Sequence, residues 1–316
     1  MKKNFLFFFI FLISCSSSSV KEGPLVAVPS DVKVAEPAPV VVTGQEPGTI
    51  VNPTPEKEEQ KKPTIALIFG PGLNRTVGYT AFLKELKKQN ISAQIVSGTG
   101  MGAIIAAHYA SGKTPQKIEW LFFKFFNETR GKRPFSRSWR RSLENVFLKE
   151  FKNTQIQDLK MNLVIPVYQT NPPMIKNFSQ GNLFDLLKAQ FIFSSNGGGA
   201  FISPLGIQTF NGFWMRKLGA KIVVGVDVLG KKIIFEEDDK FLKDLYGKIA
   251  KQIKNESKDL DLFYTLPFSD MALDSEKKLP ESLQKTQDFG KVAAKAIKSK
   301  RDLRKSNENE VQIQDQ

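Results

Sequence analysis

The residues whose types and spacing could do chemistry are concentrated between Ile91 and Gly112. This run passes from β-branched apolar residues (Ile91, Ile95, Val96) through Gly98, Thr99, Gly100, Met101 and Gly102 into Ala103–Ala107, and stops at Ser111-Gly112. The pattern predicts a strand, a sharp turn and a helix. A turn of this build, G-x-S-x-G, holds a serine nucleophile above a sheet, its outer glycines letting two backbones approach closely. Here the central residue is Gly100. Without a side-chain oxygen at that point no covalent acyl intermediate can form. Ser97 and Thr99 are close in sequence, but neighbours on an elbow point elsewhere, and a misplacement of about 1 Å costs about a hundredfold.

Other chemistries fit less well. Gly98-Thr99-Gly100-Met101-Gly102-Ala103 formally matches the dinucleotide fingerprint G-x-G-x-x-G/A, which expects an acidic residue at the end of the next strand. The residue at that spacing, Glu119, falls in a helical pattern instead. The chain has a single histidine and a single cysteine, so no metal-ligand cluster is visible and no metal or cofactor is expected. The lone histidine, His108, lies in the middle of the helix after the turn, a position for a packed side chain rather than a base.

The elements that must position the turn follow from the flanking pattern. Thr64–Phe69 is a short continuous apolar run, as expected of a strand buried on both faces. A loop follows, Gly70-Pro71-Gly72-Leu73-Asn74-Arg75-Thr76, then a helix over Gly78–Lys88 with Phe82, Leu83 and Leu86 on its apolar face, closed at Asn90. A second strand is expected over Ile91–Val96. The order β, glycine loop, α, β, glycine turn, α argues for a parallel sheet with helices on its faces. Farther on, Ile118, Leu121, Phe122 and Phe125 repeat at helical spacing, the signature of core packing. Arg130, Lys132, Arg133, Arg137, Arg140 and Arg141 then form a basic run interleaved with Phe135 and Trp139, read as a solvated face, with a membrane-surface or lipopolysaccharide patch as the alternative.

The segments Ile65–Leu86 and Ile91–Gly112 together resemble the opening of the patatin-like phospholipase family. Later segments are similar to family elements too: Met161–Val167 to a strand, Gly181-Asn182-Leu183 with Leu186 and Ala189 to the G-D-L helix, and Leu218–Asp227 to the L-G-A-D strand. The closing helix of the family is resembled by residues 284–298. The resemblance implies a three-layer α/β/α fold with a largely parallel central sheet over residues 63–298. It also implies a serine–aspartate dyad whose oxyanion is held by N–H groups of the first glycine loop. Taken residue by residue, the parts are degenerate. The nucleophile position is Gly100, between the elbow glycines Gly98 and Gly102. The aspartate position corresponds to Asn211 in Phe210-Asn211-Gly212-Phe213, and a neutral amide cannot accept a proton as a carboxylate does. Of the oxyanion loop, Gly70, Gly72 and Arg75 remain, whereas Pro71 has no N–H to donate and Leu73 and Thr76 replace glycines. Losing a single oxyanion donor costs about 3 kcal/mol in catalysis.

The ends of the chain have a different character. Met1-Lys2-Lys3 is a basic start, Phe5–Ile13 an apolar stretch too short to span a bilayer as a helix, and Leu12-Ile13-Ser14-Cys15 places a small residue before the only cysteine. This resembles the lipobox of bacterial lipoproteins, in which residues 1–14 are removed as a signal peptide and Cys15 is acylated, palmitate-like chains anchoring it. Ser16, in place of the aspartate that favours inner-membrane retention in many such proteins, points to the outer membrane and leaves its face open. Residues 15–62 are rich in Pro and Val and read as a tether without a core, and residues 299–316 as a disordered polar tail. The chain of 316 residues is 41% hydrophobic and 25% charged, ordinary for a globular domain with tails, and carries a net charge of +14. A basic surface suits anionic headgroups or an acidic envelope partner, and no nucleic-acid-binding motif is present.

Three functions follow as expectations. The first is a membrane-anchored, catalytically inactive lipoprotein that binds lipid or a protein partner at the inherited cleft or around it. The second is an acyl hydrolase with a non-standard nucleophile. The third is a structural envelope lipoprotein.

Overall fold

The computed structural model describes residues 64–193 and 200–314. Cys15, the signal segment and the tether of residues 15–62 lie outside the described residues. The sheet is built from seven strands: β1 (Ile65–Phe69), β2 (Ile95–Gly98), β3 (Asn162–Thr170), β4 (Pro173–Phe178), β5 (Phe201–Ile202), β6 (Ile222–Asp227) and β7 (Leu262–Thr265). Their order is β4-β3-β2-β1-β6-β7, with β5 pairing β3. β1 pairs in parallel with both β2 and β6, and β2–β3 and β6–β7 are also parallel; β4 and β5 add antiparallel edges to β3. Every residue of β1, β2 and β6 is buried. Since alternate residues face opposite sides, both faces of the central strands are covered, giving the expected α/β layering around a mostly parallel sheet.

The covering helices are α1 (Gly78–Lys88), α2 (Met101–Ala110), α3 (Pro115–Thr129), α4 (Arg137–Leu143), α5 (Leu183–Ala189), α6 (Gly212–Lys217), α7 (Lys240–Glu256) and α8 (Leu279–Gln314). α2 is apolar all round and wholly sequestered except for Tyr109, as its Ala- and Ile-rich sequence requires. α3 starts on a capping residue, Thr114, followed by Pro115, and buries Ile118, Phe122, Phe125 and Phe126. α1 buries Phe82, Leu83 and Leu86, and α8 crosses it where Gly290 meets the Glu85 stem.

Two expectations are corrected. The second strand begins later than Ile91: Ile91 and Ala93 are buried, but the chain over 91–94 is a connection whose Ile91 N–H is taken by Leu86 O of α1, and pairing with β1 starts at Ile95. The closing helix does not stop at residue 298. α8 continues to Gln314, so residues 299–314 are helical rather than a disordered polar tail. Within this extension Arg304 Nη2 lies 3.0 Å from Asp261 Oδ1, on a carboxylate that Arg216 also holds, a contact to the fold that composition does not reveal.

Candidate functional site

In an open α/β sheet the crevice forms at the carboxyl ends of the strands where the chain reverses direction across the sheet. Here β1 is followed by β2 on one side and, later, β6 on the other. The loop after β1 and the turn after β2 therefore meet at one end of the sheet.

The turn is an elbow in full geometry. Gly100 has φ 55° and ψ −127°, a left-handed conformation natural to glycine and costly for other residues. A Cβ on Gly98 would stand 2.5 Å from the Gly102 carbonyl, and one on Gly102 would stand 2.3 Å from Phe69 O and 2.5 Å from Gly70 O. Only glycine fits at either position, because the obstacles are backbone. The apex is different: a Cβ there would find Pro71 Cβ at 3.4 Å and the two Leu205 methyls at 3.5 Å, ordinary contact distances. The position is thus large enough for a serine Cβ but is capped by an apolar proline and leucine. The Gly100 N–H donates to Gln190 Oε1 at 3.0 Å, and Gln190, itself fully buried, donates to Pro166 O at 2.7 Å. Neither neighbouring hydroxyl substitutes. Ser97 is buried on β2 and Thr99 is wholly buried, its Oγ1 without a hydrogen-bond partner.

The loop after β1 has become a structural joint. The N–H groups of Gly70, Asn74 and Arg75 are committed to Val226 O, Leu273 O and Gly72 O at 2.9, 2.9 and 3.0 Å. Gly72 remains because a Cβ would stand 2.3 Å from Val228 Cγ2. Arg75 is fully buried, and its guanidinium donates to the carbonyls of Met271 (2.6 Å), Leu229 (2.5 Å), Lys232 (3.1 Å) and Val228 (3.4 Å). Burial lowers its pKa to about 10, Asp227 and Asp270 acting against that shift. Asp227, at the end of β6, binds the N–H groups of Leu229 and Gly230 at 3.0 and 3.1 Å. Burial raises its pKa to about 6 despite these bonds and the attraction of Arg75. Tyr79 Oη donates to Gly70 O at 2.8 Å, and the Phe210 ring closes on Gly70.

The remaining sequence-derived positions fall as follows. Asn211 is the cap of α6: its Oδ1 accepts from Trp214 N–H at 2.9 Å and its Nδ2 donates to Gln208 Oε1 at 3.3 Å, so its hydrogen bonds are local rather than directed to the elbow. His108 is completely buried between Phe147 and Phe151 with Nδ1 2.9 Å from Glu150 Oε1, and burial lowers its pKa. Glu119 pairs with Lys84. Among the described residues no cluster of three or more His, Cys, Asp or Glu could hold a metal, and no helix is long and apolar enough to cross a membrane. Gly100 does not line the cavities of 280, 360, 550, 500 and 280 Å³ that the described residues form elsewhere on the surface.

Three residues of this site escaped sequence reasoning: Gln190, Leu205 and Asp227. The only hint for Gln190 is an amide set between Ala189 and Phe191 in an apolar run; Leu205 carries none. Asp227 ends a recognisable strand, but its orientation toward the glycine loop needs the fold.

The patatin-like phospholipase family model matches residues 67–166, from β1 to the first half of β3, and so takes in both glycine segments. Among solved structures, the chain is similar to the type III effector ExoU, with 14% identity over 76% of this chain and 54% of that one and a TM-score of 0.39. ExoU of Pseudomonas aeruginosa in complex with SpcU gives 11% identity over 64% and 54% of the two chains and a TM-score of 0.31. VipD from Legionella pneumophila gives 8% identity over 75% and 67%, with a TM-score of 0.43. The chain therefore spans about half the length of the ExoU chains it matches. No curated protein matches.

Proposed function

We propose, from the match of residues 67–166 to the patatin-like phospholipase family together with the site geometry, that the domain is a catalytically inactive relative of these enzymes that binds lipid. The observation that carries this reading is Gly100 itself: the elbow keeps its left-handed apex and has no side-chain oxygen to place there. Two further features support it. In the loop after β1 the N–H groups of Gly70, Asn74 and Arg75 are bonded within the fold and Pro71 has none to give, and Pro71 and Leu205 lie over the apex. Because that apex is closed, lipid is held at the surface around the inherited cleft rather than inside it. Acylation of Cys15 would keep the domain at the outer membrane, a placement supported by the residue pattern over 1–16.

The test uses the full chain purified from envelopes. It is incubated with short-chain acyl esters and with anionic phospholipid, while mass spectrometry follows both co-purifying lipid and the mass at Cys15. The expected result is retained lipid, an acylated cysteine and no ester turnover. Turnover abolished by Ser97→Ala or Thr99→Ala would overturn the inactive reading. Absence of any retained lipid would overturn lipid binding and favour a protein partner.

A further inference from the structure

The basic run of residues 130–141 divides into two electrostatically different halves. In the first, Arg130 Nη2 lies 2.9 Å from Glu276 Oε1, Arg133 Nε lies 2.5 Å from Asp239 Oδ2, and Lys132 donates to Ser142 Oγ at 2.9 Å. Arg130 and Arg133 thus tie the connection after α3 to the segments around Glu276 and Asp239, and Lys132 ties it to α4. In the second half, Arg137 and Arg141 are exposed and, among the described residues, have no ion pair or hydrogen bond; Arg140 reaches only the Phe191 carbonyl, at 3.4 Å. Charges left unpaired beside fully paired neighbours are available to a ligand.

They also border a shaped space. Arg137, Arg140, Arg141 and Lys188 rim a cavity of about 360 Å³ whose floor includes Leu148 and Phe191. That volume is within the range of about 300–1,000 Å³ typical of small-ligand pockets. The rim carries one carboxylate, Glu144, so cations dominate it. Glu144 also begins a π-helical turn, Glu144–Leu148, that forms one wall; such turns are rare and recur at functional sites. The lining also adjoins, along the chain, a residue bonded to the elbow. Phe191 follows Gln190, whose side chain holds the Gly100 N–H.

We infer that this groove is a binding site for an acyl lipid with a net-anionic phosphate headgroup, its phosphate held by Arg137 and Arg141 and an acyl segment laid along the apolar side that Leu148, Phe191 and Ile192 line. Guanidinium groups match phosphate through paired, charge-assisted hydrogen bonds, and the apolar floor gives the adjoining chain a dry surface. The assignment rests on the lipid-binding reading above and gives it a site and a headgroup chemistry. It also places the lipid outside the degenerate apex, so the missing nucleophile does not bear on it.

The test titrates the full chain in a neutral detergent by calorimetry with three soluble probes: dihexanoyl-phosphatidylglycerol, dihexanoyl-phosphatidylcholine and inorganic phosphate. Phosphatidylglycerol should bind about tenfold or more tighter than the other two, with an affinity that weakens as salt is raised. The double variant Arg137→Ala/Arg141→Ala should lose about tenfold or more of that affinity, whereas Arg130→Ala/Arg133→Ala should stay within about twofold. Unchanged affinity in the first double variant overturns the groove while leaving lipid binding standing. Inorganic phosphate bound as tightly as phosphatidylglycerol overturns the acyl part of the assignment. No binding of either lipid by the unaltered chain overturns both this site and the reading beneath it.

Discussion

The elbow after β2 and the loop after β1 meet at the same end of the sheet, yet they are held in opposite ways. At the elbow the backbone sets the shape: Gly98 and Gly102 are fixed by carbonyls within 2.5 Å of their would-be Cβ atoms, while the apex at Gly100 has room for a Cβ beneath Pro71 and Leu205. In the loop the side chains have taken over. Arg75 turns inward to four carbonyls, and the N–H groups of Gly70, Asn74 and Arg75 bond to Val226, Leu273 and Gly72. The difference teaches that the elbow's shape is held by the close strand-to-helix crossing at Gly98 and Gly102, whereas the loop's shape is held by the side chain of Arg75.

That contrast sets an order of sensitivity. Arg75→Ala should be the most damaging change, about 4 kcal/mol, because it removes a buried cation and leaves four carbonyls unpaired; Arg75→Lys should recover only part, since one ammonium cannot reach all four. Denaturant unfolding of the two variants checks this, and a mild Arg75→Ala would mean that the loop is not a joint. Gly102→Ala should cost about 3 kcal/mol by the same measurement, since the obstacle is backbone that cannot step aside. Gly100→Ala should cost less, about 1–2 kcal/mol, because only the left-handed φ opposes it and the space is adequate. If Gly100→Ala proved as harmful as Gly102→Ala, the apex would not be the vacant position described here.

The smallest effect concerns pH. Asp227 has a folded pKa raised to about 6, above its ordinary value of 3.8. The folded state therefore holds this proton more tightly, so the group's contribution is present below pH 3.8 and is lost as pH rises through 6. Stability should fall by about 1 kcal/mol between pH 5 and pH 7 from this group, and the difference curve between the unaltered chain and Asp227→Asn should contain that slope. A flat difference curve would show that Asp227 is already ionised in the fold at pH 5.

Much of this architecture was legible in the residues. The continuous apolar run at 65–69, the amphipathic pattern of α1 and the glycine spacing at 98–102 encode local geometry directly, and the structure places β1, α1 and the elbow there. The misreadings share one cause, which is dependence on distant partners. Ile91 is β-branched and buried, but its N–H is taken by Leu86 O of α1, and the register against β1 starts at Ile95. The polar end of α8 has no local reason to be helical until Arg304 reaches Asp261, 43 residues away in sequence. Gln190 at Gly100 and Leu205 over it likewise come from segments far along the chain, and no spacing rule announces them. Arg75 was legible as a remnant of the loop but not as a buried cation, since nothing in its neighbours tells inward from outward.

The elbow holds its left-handed apex at Gly100, with no side-chain oxygen there. The most direct measurement is intact-mass analysis of the full chain after exposure to a fluorophosphonate, which forms a covalent adduct only with an activated hydroxyl. An unchanged mass is the predicted result, with Ser97 and Thr99 both sequestered beneath the turn. A stoichiometric adduct mapping to either of them would contradict it.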